Sequence, residues 1–238
     1  MRVQGGRPPC RGSGASSPGR VRAAVREAGS GGSPGSGSGR QPGKRVRVAA
    51  REKEDNMKLF EKTLESKSIF EGKVIHVMHD KVELENGETA MREIVAHPGG
   101  VCVAALTPEN ELLFVRQFRY PYKEVTLELP AGKLEKGQNP LENGKRELLE
   151  ETGAIGREYM TLGKLYPSPG YCGEIIHLYF CKIDHFEKQQ LDEDEFVSVE
   201  RIPLEKAEEM VMNNEIPDSK TQVAILKTAA IVRKLNGQ

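Results

Sequence analysis

The stretch GKLEKGQNPLENGKRELLEETGAI, residues 132–155, carries a complete set of helix signals and decides the fold. Asn139 is a good N-cap, and Pro140 suits the first helical position, where its missing N–H has no partner to lose. Gly153 is a natural stop because glycine readily adopts the left-handed conformation that ends helices. We therefore predict a helix over residues 140–152.

Three glutamates crowd one face of this predicted helix. At about 100° per residue, Glu147, Glu150 and Glu151 lie on one side, whereas Leu148 points towards the core. Like charges one turn apart repel by a few tenths of a kcal/mol. The face is either a solvated acidic surface or a place for a hard divalent ion such as Mg²⁺, which prefers carboxylate oxygens. The three glutamates alone leave both alternatives open.

The spacing around these glutamates resembles the box of the Nudix hydrolase family, G-x5-E-x7-R-E-U-x-E-E-x-G-U, where U is a bulky aliphatic residue. The matching residues are Gly132, Arg146, Glu147, Leu148, Glu150, Glu151 and Gly153. The chain departs from the box at Gln138, which replaces the first glutamate, and at Ala154, which replaces the last aliphatic residue. Outside the box, VRQFRYP, LELPAGKLE, YPSPG and LDEDEFV resemble the ADP-ribose pyrophosphatase branch, so the resemblance covers about residues 57–236.

The rest of the chain predicts strands and two C-terminal helices. The turn Asn86-Gly87 lies within alternating apolar residues and indicates a hairpin, and a turn at 108–110 joins two further strands. VTLELPAG predicts a short strand, EIIHLYFCKI a central strand and FVSVERIP an edge strand, whereas PLEKAEEMVMNNE and SKTQVAILKTAAIVRKLNG have helical spacing. The pattern predicts an α/β (α+β) domain. The resemblance implies a Nudix-type α/β/α sandwich with a mixed sheet, over residues 98–238, preceded by a small antiparallel sheet over 57–97.

The resemblance also implies a metal site. Glu147 and Glu151 would be direct ligands of Mg²⁺, with Mn²⁺ as an alternative, and Glu150 would assist directly or through water. The main-chain carbonyl of Ala131, just before Gly132, would add a neutral oxygen. Arg146 would orient the glutamates, and Gln138 would accept a hydrogen bond from it, giving weaker support than the usual glutamate.

A catalytic base is expected outside the helix. The segment QQLDEDEFVSVE is acidic and lies between two predicted strands. In the ADP-ribose branch a loop here brings a glutamate over the site, so Glu193 is the first choice for the base and Glu195 for a further metal or water contact. A solvated acidic loop is the alternative.

Candidates for substrate binding lie in other segments that resemble the branch. Arg119 is expected to bind the diphosphate or the terminal ribose, because a guanidinium can donate two parallel hydrogen bonds to phosphate. Arg92 is a second candidate, and Glu174 in PSPGYCGE is a third. Each arginine could instead be an ordinary surface residue of a strand.

Charge separates the first 56 residues from the body. The segment 1–56 carries 12 Lys and Arg against 4 Asp and Glu, is rich in Gly, Ser and Pro, and is expected to be a disordered tail. The remaining 182 residues carry 23 basic and 31 acidic groups, which argues against nucleic acid as a partner. The chain has no apolar run long enough to span a membrane, and its four cysteines form no C-x-x-C pair. We expect a cytoplasmic protein.

The leading expectation is a Mg²⁺-dependent enzyme that hydrolyses the pyrophosphate of ADP-ribose, or of a related ADP-sugar, to AMP and ribose 5-phosphate. One alternative is a Nudix hydrolase of another nucleoside diphosphate derivative, and the other is a non-catalytic nucleotide-binding regulator. The resemblance further implies a homodimer in which the segment 57–97 exchanges between subunits.

Overall fold

The fold is taken from a computed structural model that describes residues 59–135, 137–191 and 196–237. The predicted tail, residues 1–56, lies outside the described residues. Within these ranges, no helix is long and apolar enough to cross a membrane.

A small antiparallel sheet precedes the main domain. It contains β1 (Lys62–Glu71), β2 (His76–Glu83) and β3 (Thr89–Ala96), with β2 in the middle. The hairpin between β2 and β3 turns at Gly87, whose φ of 82° suits glycine, as the Asn-Gly signal predicts. All ten residues of β1 are exposed.

The main sheet is mixed and carries helices on both faces. Its strands are β4 (Gly100–Leu106), β5 (Glu111–Arg119), β6 (Glu124–Glu128), β7 (Ala131–Lys133), β8 (Ala154–Leu165), β9 (Ile176–Phe186) and β10 (Ser198–Pro203). The helices are α1 (Pro140–Thr152), α2 (Leu204–Met212) and α3 (Ser219–Leu235). The main path runs β10-β5-β4-β9-β8, with β6 paired to β5 and β7 paired to β4. Because β4 and β9 run parallel while the other pairs are antiparallel, the predicted mixed sheet is confirmed.

β4 contributes side chains to two hydrophobic layers, one on each face of the main sheet. All seven of its residues are buried, and successive side chains point to opposite faces. One face carries Val101, Val103 and Ala105, and the other carries Cys102, Ala104 and Leu106. The first set packs with Leu148 of α1, and the second belongs to the cluster that includes Ile225 of α3. This arrangement is the predicted α/β/α sandwich.

Two strands differ from the sequence-based expectation. The segment VTLELPAG was predicted as one strand ending before Gly132, but it forms β6 and β7, and β7 extends to Lys133. β8, with 12 residues, was not predicted. Its pairing with β9 shifts register three times, so its buried positions do not alternate regularly and give no clear strand pattern.

Candidate active site

The predicted acidic helix is α1, and its ends form as its sequence indicates. The side chain of Asn139 accepts a hydrogen bond from the Leu141 N–H at 2.9 Å. Gly153, at a φ of 71°, closes the helix by donating its N–H to the Leu149 carbonyl at 2.7 Å. These two caps fix which residues of α1 face β4 and β7.

Two of the three glutamates are buried against the sheet. Glu147 is 8% exposed and Glu151 is 3% exposed. Glu151 Oε2 accepts a hydrogen bond from the Ala131 N–H at 3.0 Å. This contact brings the main chain at Ala131 and Gly132 beside both carboxylates, and we call this group of four residues the acidic corner.

Gly132 is required by the closeness of the helix to this strand. A Cβ atom at position 132 would lie 2.0 Å from the Glu147 side-chain carboxyl carbon. A side chain at this position would displace the Glu147 carboxylate, so the position of that carboxylate in the acidic corner depends on the glycine of the signature.

Arg146 holds the carboxylates of α1 in place. Its Nη2 donates to Glu147 Oε1 at 2.7 Å, and its Nη1 donates to Glu150. Asn143 Oδ1 also accepts from Arg146 Nη2, at 3.1 Å. Glu150 therefore lies in an ion pair with Arg146. Because the same guanidinium also pairs with Glu147, it offsets the repulsion between these two glutamates.

Gln138 was expected to accept a hydrogen bond from Arg146, but its hydrogen bond among the described residues is made with Glu135. Gln138 Nε2 donates to Glu135 Oε2 at 2.6 Å, and Glu135 Oε1 lies 3.9 Å from Arg146 Nη2. Arg146 Nε is buried and has no hydrogen-bond partner among the described residues. Glu135, three residues before the position of the usual glutamate, is thus the carboxylate that the loop brings towards Arg146.

The acidic corner offers the kind of ligands that a hard divalent cation prefers. Two buried carboxylates and the carbonyl edge of β7 are all oxygen donors. Among the described residues, no three His, Cys, Asp or Glu side chains already converge as a closed metal cage. The residues present fit Mg²⁺ or Mn²⁺, with coordination to be completed by water, substrate or a further side chain.

A cleft of about 760 Å³ opens beside the acidic corner. Ala131, Gly132 and Glu151 line it, together with Arg119 and Glu174. The structure therefore brings four predicted groups, the main chain at Ala131 and the side chains of Glu151, Arg119 and Glu174, to one cavity large enough for a nucleotide sugar.

Arg119 is held by a carboxylate that the sequence analysis did not select. Its Nε and Nη2 donate to the two oxygens of Glu128, each at 2.6 Å. Glu128 is 2% exposed and also accepts from the hydroxyl of Thr126 at 2.6 Å. Although burial opposes its ionisation, Arg119 and the charge of Lys220 lower the pKa of Glu128 to about 2.

Three further predicted residues are placed elsewhere or not described. Arg92 on β3 pairs with Glu61 at 2.5 Å and does not line the cleft of its own chain. Glu193 and Glu195 lie outside the described residues.

Other cleft residues were missed by the sequence analysis. Glu174 Oε1 lies 3.5 Å from Nδ1 of His97, which also lines the cleft. Asp218 and Lys220, at the start of α3, form part of the same wall. A signal for Lys220 existed: a cation in the first turn of a helix opposes the helix dipole and needs a reason.

Comparisons with known proteins agree with this geometry. The NUDIX domain family matches residues 96–221. The chain belongs to the Nudix family, and it is a Nudix pyrophosphatase. The resemblance to the ADP-ribose pyrophosphatase branch is confirmed by a relative of that name from Bacillus subtilis (strain 168), 45% identical over 70% of this chain and 91% of the relative.

Two other relatives and one solved structure extend the picture. The methanol dehydrogenase activator of Bacillus methanolicus is 45% identical over 71% of this chain and 92% of its own length. A GDP-mannose pyrophosphatase from Yersinia enterocolitica serotype O:8 / biotype 1B is 31% identical, over 62% of this chain and 82% of the relative. A crystal structure of an ADP compounds hydrolase shares the fold, with a TM-score of 0.65 and 18% identity over 74% of this chain and 95% of that one.

Proposed function

We propose that this Nudix pyrophosphatase hydrolyses ADP-ribose to AMP and ribose 5-phosphate in a reaction that requires Mg²⁺, with Mn²⁺ as the alternative ion. The observation that carries the proposal is the acidic corner, where buried Glu151 contacts Ala131 and buried Glu147 lies against Gly132, beside a nucleotide-sized cleft that Ala131, Gly132 and Glu151 line. The relatives named ADP-ribose pyrophosphatase support the choice of substrate.

Glu147, Glu151 and the Ala131 carbonyl would hold the metal ion. When bound, the ion supplies charge neutralisation for the pyrophosphate and lowers the pKa of water. Arg146 keeps Glu147 and Glu150 oriented through its two terminal nitrogens. Arg119 would bind a phosphate or ribose oxygen with the guanidinium edge that Glu128 does not use.

A base must accept the proton of the attacking water. We propose Glu193 for this role and Glu195 for a further metal or water contact, because the acidic segment that contains them joins β9 to β10. A base delivered by a loop would reach the attacking water only once substrate has bound, so the catalytic site would be complete only in the substrate complex. Replacing Glu193 by Gln while keeping Glu195, and the reverse, separates the two assignments through kcat.

We propose that the active form is a homodimer. β1 is an exposed edge strand with Leu64, Ile69 and Phe70 each about half exposed, and such an edge readily pairs with another chain. Arg92 on the same small sheet would then lie near the partner's cleft, which is how it could still bind substrate.

The three described cysteines are free thiols, which fits the reducing cytoplasm that we expect.

The substrate is tested with a panel of nucleotides. The full chain is incubated with Mg²⁺ and ADP-ribose, GDP-mannose, NAD⁺ or a nucleoside triphosphate, and the products are resolved by anion-exchange chromatography. We expect kcat/KM to be highest for ADP-ribose, with AMP as a product. A higher kcat/KM for GDP-mannose would assign the chain to the alternative substrate class, and ADP-ribose binding without any product would make it a nucleotide-binding regulator.

A further inference from the structure

Four charged side chains from β5, β6 and the start of α3 meet on the wall of the cleft. Arg119 at the end of β5 and Glu128 at the end of β6 are joined by the two hydrogen bonds described above. Lys220, from the first turn of α3, donates to Glu128 Oε2 and lies 3.0 Å from Asp218 Oδ2. All four residues line the cleft, so this cation-anion cluster faces any ligand bound there.

Lys220 occupies an unfavourable position for a lysine. It is 8% exposed, and it lies in the first turn of α3, where the helix dipole repels cations. Burial favours the neutral amine, but the carboxylates of Asp218 and Glu128 raise the pKa of Lys220 above its usual value. An apolar side chain of similar length would fill this position without desolvating a charge, so packing alone does not account for Lys220.

The connections of Glu128 suggest what Lys220 does. Oε1 of Glu128 accepts from Arg119 Nε and Thr126 Oγ1, while Oε2 accepts from Arg119 Nη2 and Lys220 Nζ. Each carboxylate oxygen thus has two donors, which leaves the carboxylate little freedom to rotate. Arg119 Nη1 has no hydrogen bond among the described residues, and it is the edge available to a ligand.

We propose that Lys220 is a positioning residue for substrate binding, which acts through Glu128 to hold the guanidinium of Arg119 towards the anionic part of the substrate. A second contact ties the same elements together, because Leu129 N–H donates to Thr221 Oγ1 at 3.0 Å. The start of α3 is therefore fastened to the end of β6 at two adjacent residues, and only two residues separate Glu128 from Ala131.

The charge of the cluster gives the direction of the expected effect. Arg119 and Lys220 together balance the charges of Glu128 and Asp218, so Arg119 need not neutralise Glu128 by itself. Without Lys220, Arg119 is the one cation among the described residues that is hydrogen-bonded to Glu128, so its guanidinium is drawn onto that carboxylate and away from an anionic ligand. The inference rests on the proposed function, since it assumes that the substrate is an anionic nucleotide sugar.

The first test compares two lysine variants of the full chain. Lys227 is the matched control because it lies on the same helix and donates to a main-chain oxygen, that of Leu162, away from the cleft. The KM and kcat for ADP-ribose are measured with Mg²⁺, and the affinity for ADP-ribose is measured by calorimetry in EDTA, where turnover stops. For Lys220→Met we expect KM and the dissociation constant to rise about tenfold, with kcat changed less. Lys227→Met should retain the parent values.

The second test asks whether Lys220 acts through Glu128. The double variant Lys220→Met/Glu128→Gln removes both charges of the pair. Because no charge of the pair then stays buried without its partner, we expect this variant to fold even if Lys220→Met alone does not. Its dissociation constant should equal that of Glu128→Gln, because the two residues act on Arg119 in series. Effects that multiply instead would show that they act independently and would overturn the proposal.

Failure of this inference can be told apart from failure of the proposed function. A Lys220→Met enzyme that keeps the parent KM and dissociation constant, while the parent hydrolyses ADP-ribose, overturns the role of Lys220 alone. A lowered thermal midpoint with unchanged affinity has the same meaning, since it assigns Lys220 to stability. A parent that neither binds nor hydrolyses ADP-ribose overturns the proposed function together with the inference.

Discussion

Single residues decide whether the acidic corner can form. The Glu147 carboxylate lies so close to Gly132 that a side chain at position 132 would displace it. The carboxylates and this glycine could be predicted from their spacing in the sequence. The pairing of Glu128 with Lys220 could not be predicted, because the two residues are 92 positions apart and their contact depends on how α3 meets β6.

Replacing Gly132 by Ala should disrupt the site and weaken the fold. The new Cβ would lie 2.0 Å from the carboxyl carbon of Glu147, so this buried carboxylate must leave its position or the strand and the helix must separate. We expect a loss of about 1–3 kcal/mol in the free energy of unfolding and at least a tenfold loss in kcat/KM. Urea unfolding and steady-state kinetics measure both. Gly170→Ala is the control, because a Cβ there meets nothing within 4 Å, and equal behaviour of the two variants would contradict the steric argument.

The departure at Gln138 predicts a role for Glu135. Glu135→Gln removes the loop carboxylate nearest to Arg146, whereas the exchange variant Glu135→Gln/Gln138→Glu restores one at the usual position of the signature. Glu135 is largely exposed, so we expect the single variant to need only about two- to fivefold more Mg²⁺ for half-maximal activity. The exchange variant should recover the parent requirement. The Mg²⁺ concentration for half-maximal activity is measured by titration. A single variant that needs the same Mg²⁺ concentration as the parent would show that Glu135 does not support Arg146.

At the scale of elements, caps and buried runs were predictable and irregular strands were not. The ends of α1 follow from Asn139 and Gly153, and β4 from its unbroken apolar run. β8 escaped prediction because its three register shifts destroy the alternation that identifies a half-buried strand. The split between β6 and β7 also has no local signal, since it arises where the chain changes its pairing from β5 to β4.

The junction of β6 with α3 should make stability depend on pH in acid. The pKa of Glu128 is lowered from 4.5 to about 2 in the folded protein, so its ionised form stabilises the fold above pH 4.5. That contribution, about 3 kcal/mol, is lost progressively as the pH falls from 4.5 to about 2. We expect the difference in unfolding free energy between the parent and Glu128→Gln to be constant from pH 5 to 7 and to shrink below about pH 4.5.

Chemical denaturation at a series of pH values measures this difference. Glu142→Gln is the control, because Glu142 is exposed at the start of α1 and pairs only with Lys145 among the described residues. A difference for Glu128→Gln that stays constant down to pH 2 would contradict the assignment of a stabilising, ionised Glu128.

At the scale of the whole molecule, the layers were predictable and the strand order was not. The pattern of helical and strand segments predicts an α/β (α+β) domain, and the resemblance to the Nudix family implies the α/β/α layers. The parallel pairing of β4 with β9 joins residues 76 positions apart, such as Gly100 and Ile176, and nothing local specifies it. The exposed edge of the small sheet is a property of the same scale, since Leu64, Ile69 and Phe70 of β1 remain exposed within the described part of one chain.

The proposed homodimer predicts a concentration-dependent mass. Ile69 is 56% exposed on the edge strand β1, and a lysine there would place a charge in the interface. We expect the parent to sediment as a dimer at micromolar concentration and Ile69→Lys to shift towards monomer. Met212→Lys is the control, because Met212 is 70% exposed on α2 and belongs to a different surface. A parent that sediments as a monomer at every concentration tested would contradict the dimer.

The most direct test of the account compares two glutamates of one helix in a single assay. The full chain, Glu151→Gln and Glu142→Gln are incubated with ADP-ribose and Mg²⁺, and AMP and ribose 5-phosphate are quantified. Both residues lie on α1, but Glu151 is buried in the acidic corner and Glu142 faces solvent. The account predicts that the parent and Glu142→Gln form both products, and that Glu151→Gln forms them at least about 100-fold more slowly. Equal rates for the two variants, or no AMP from the folded parent, would contradict it.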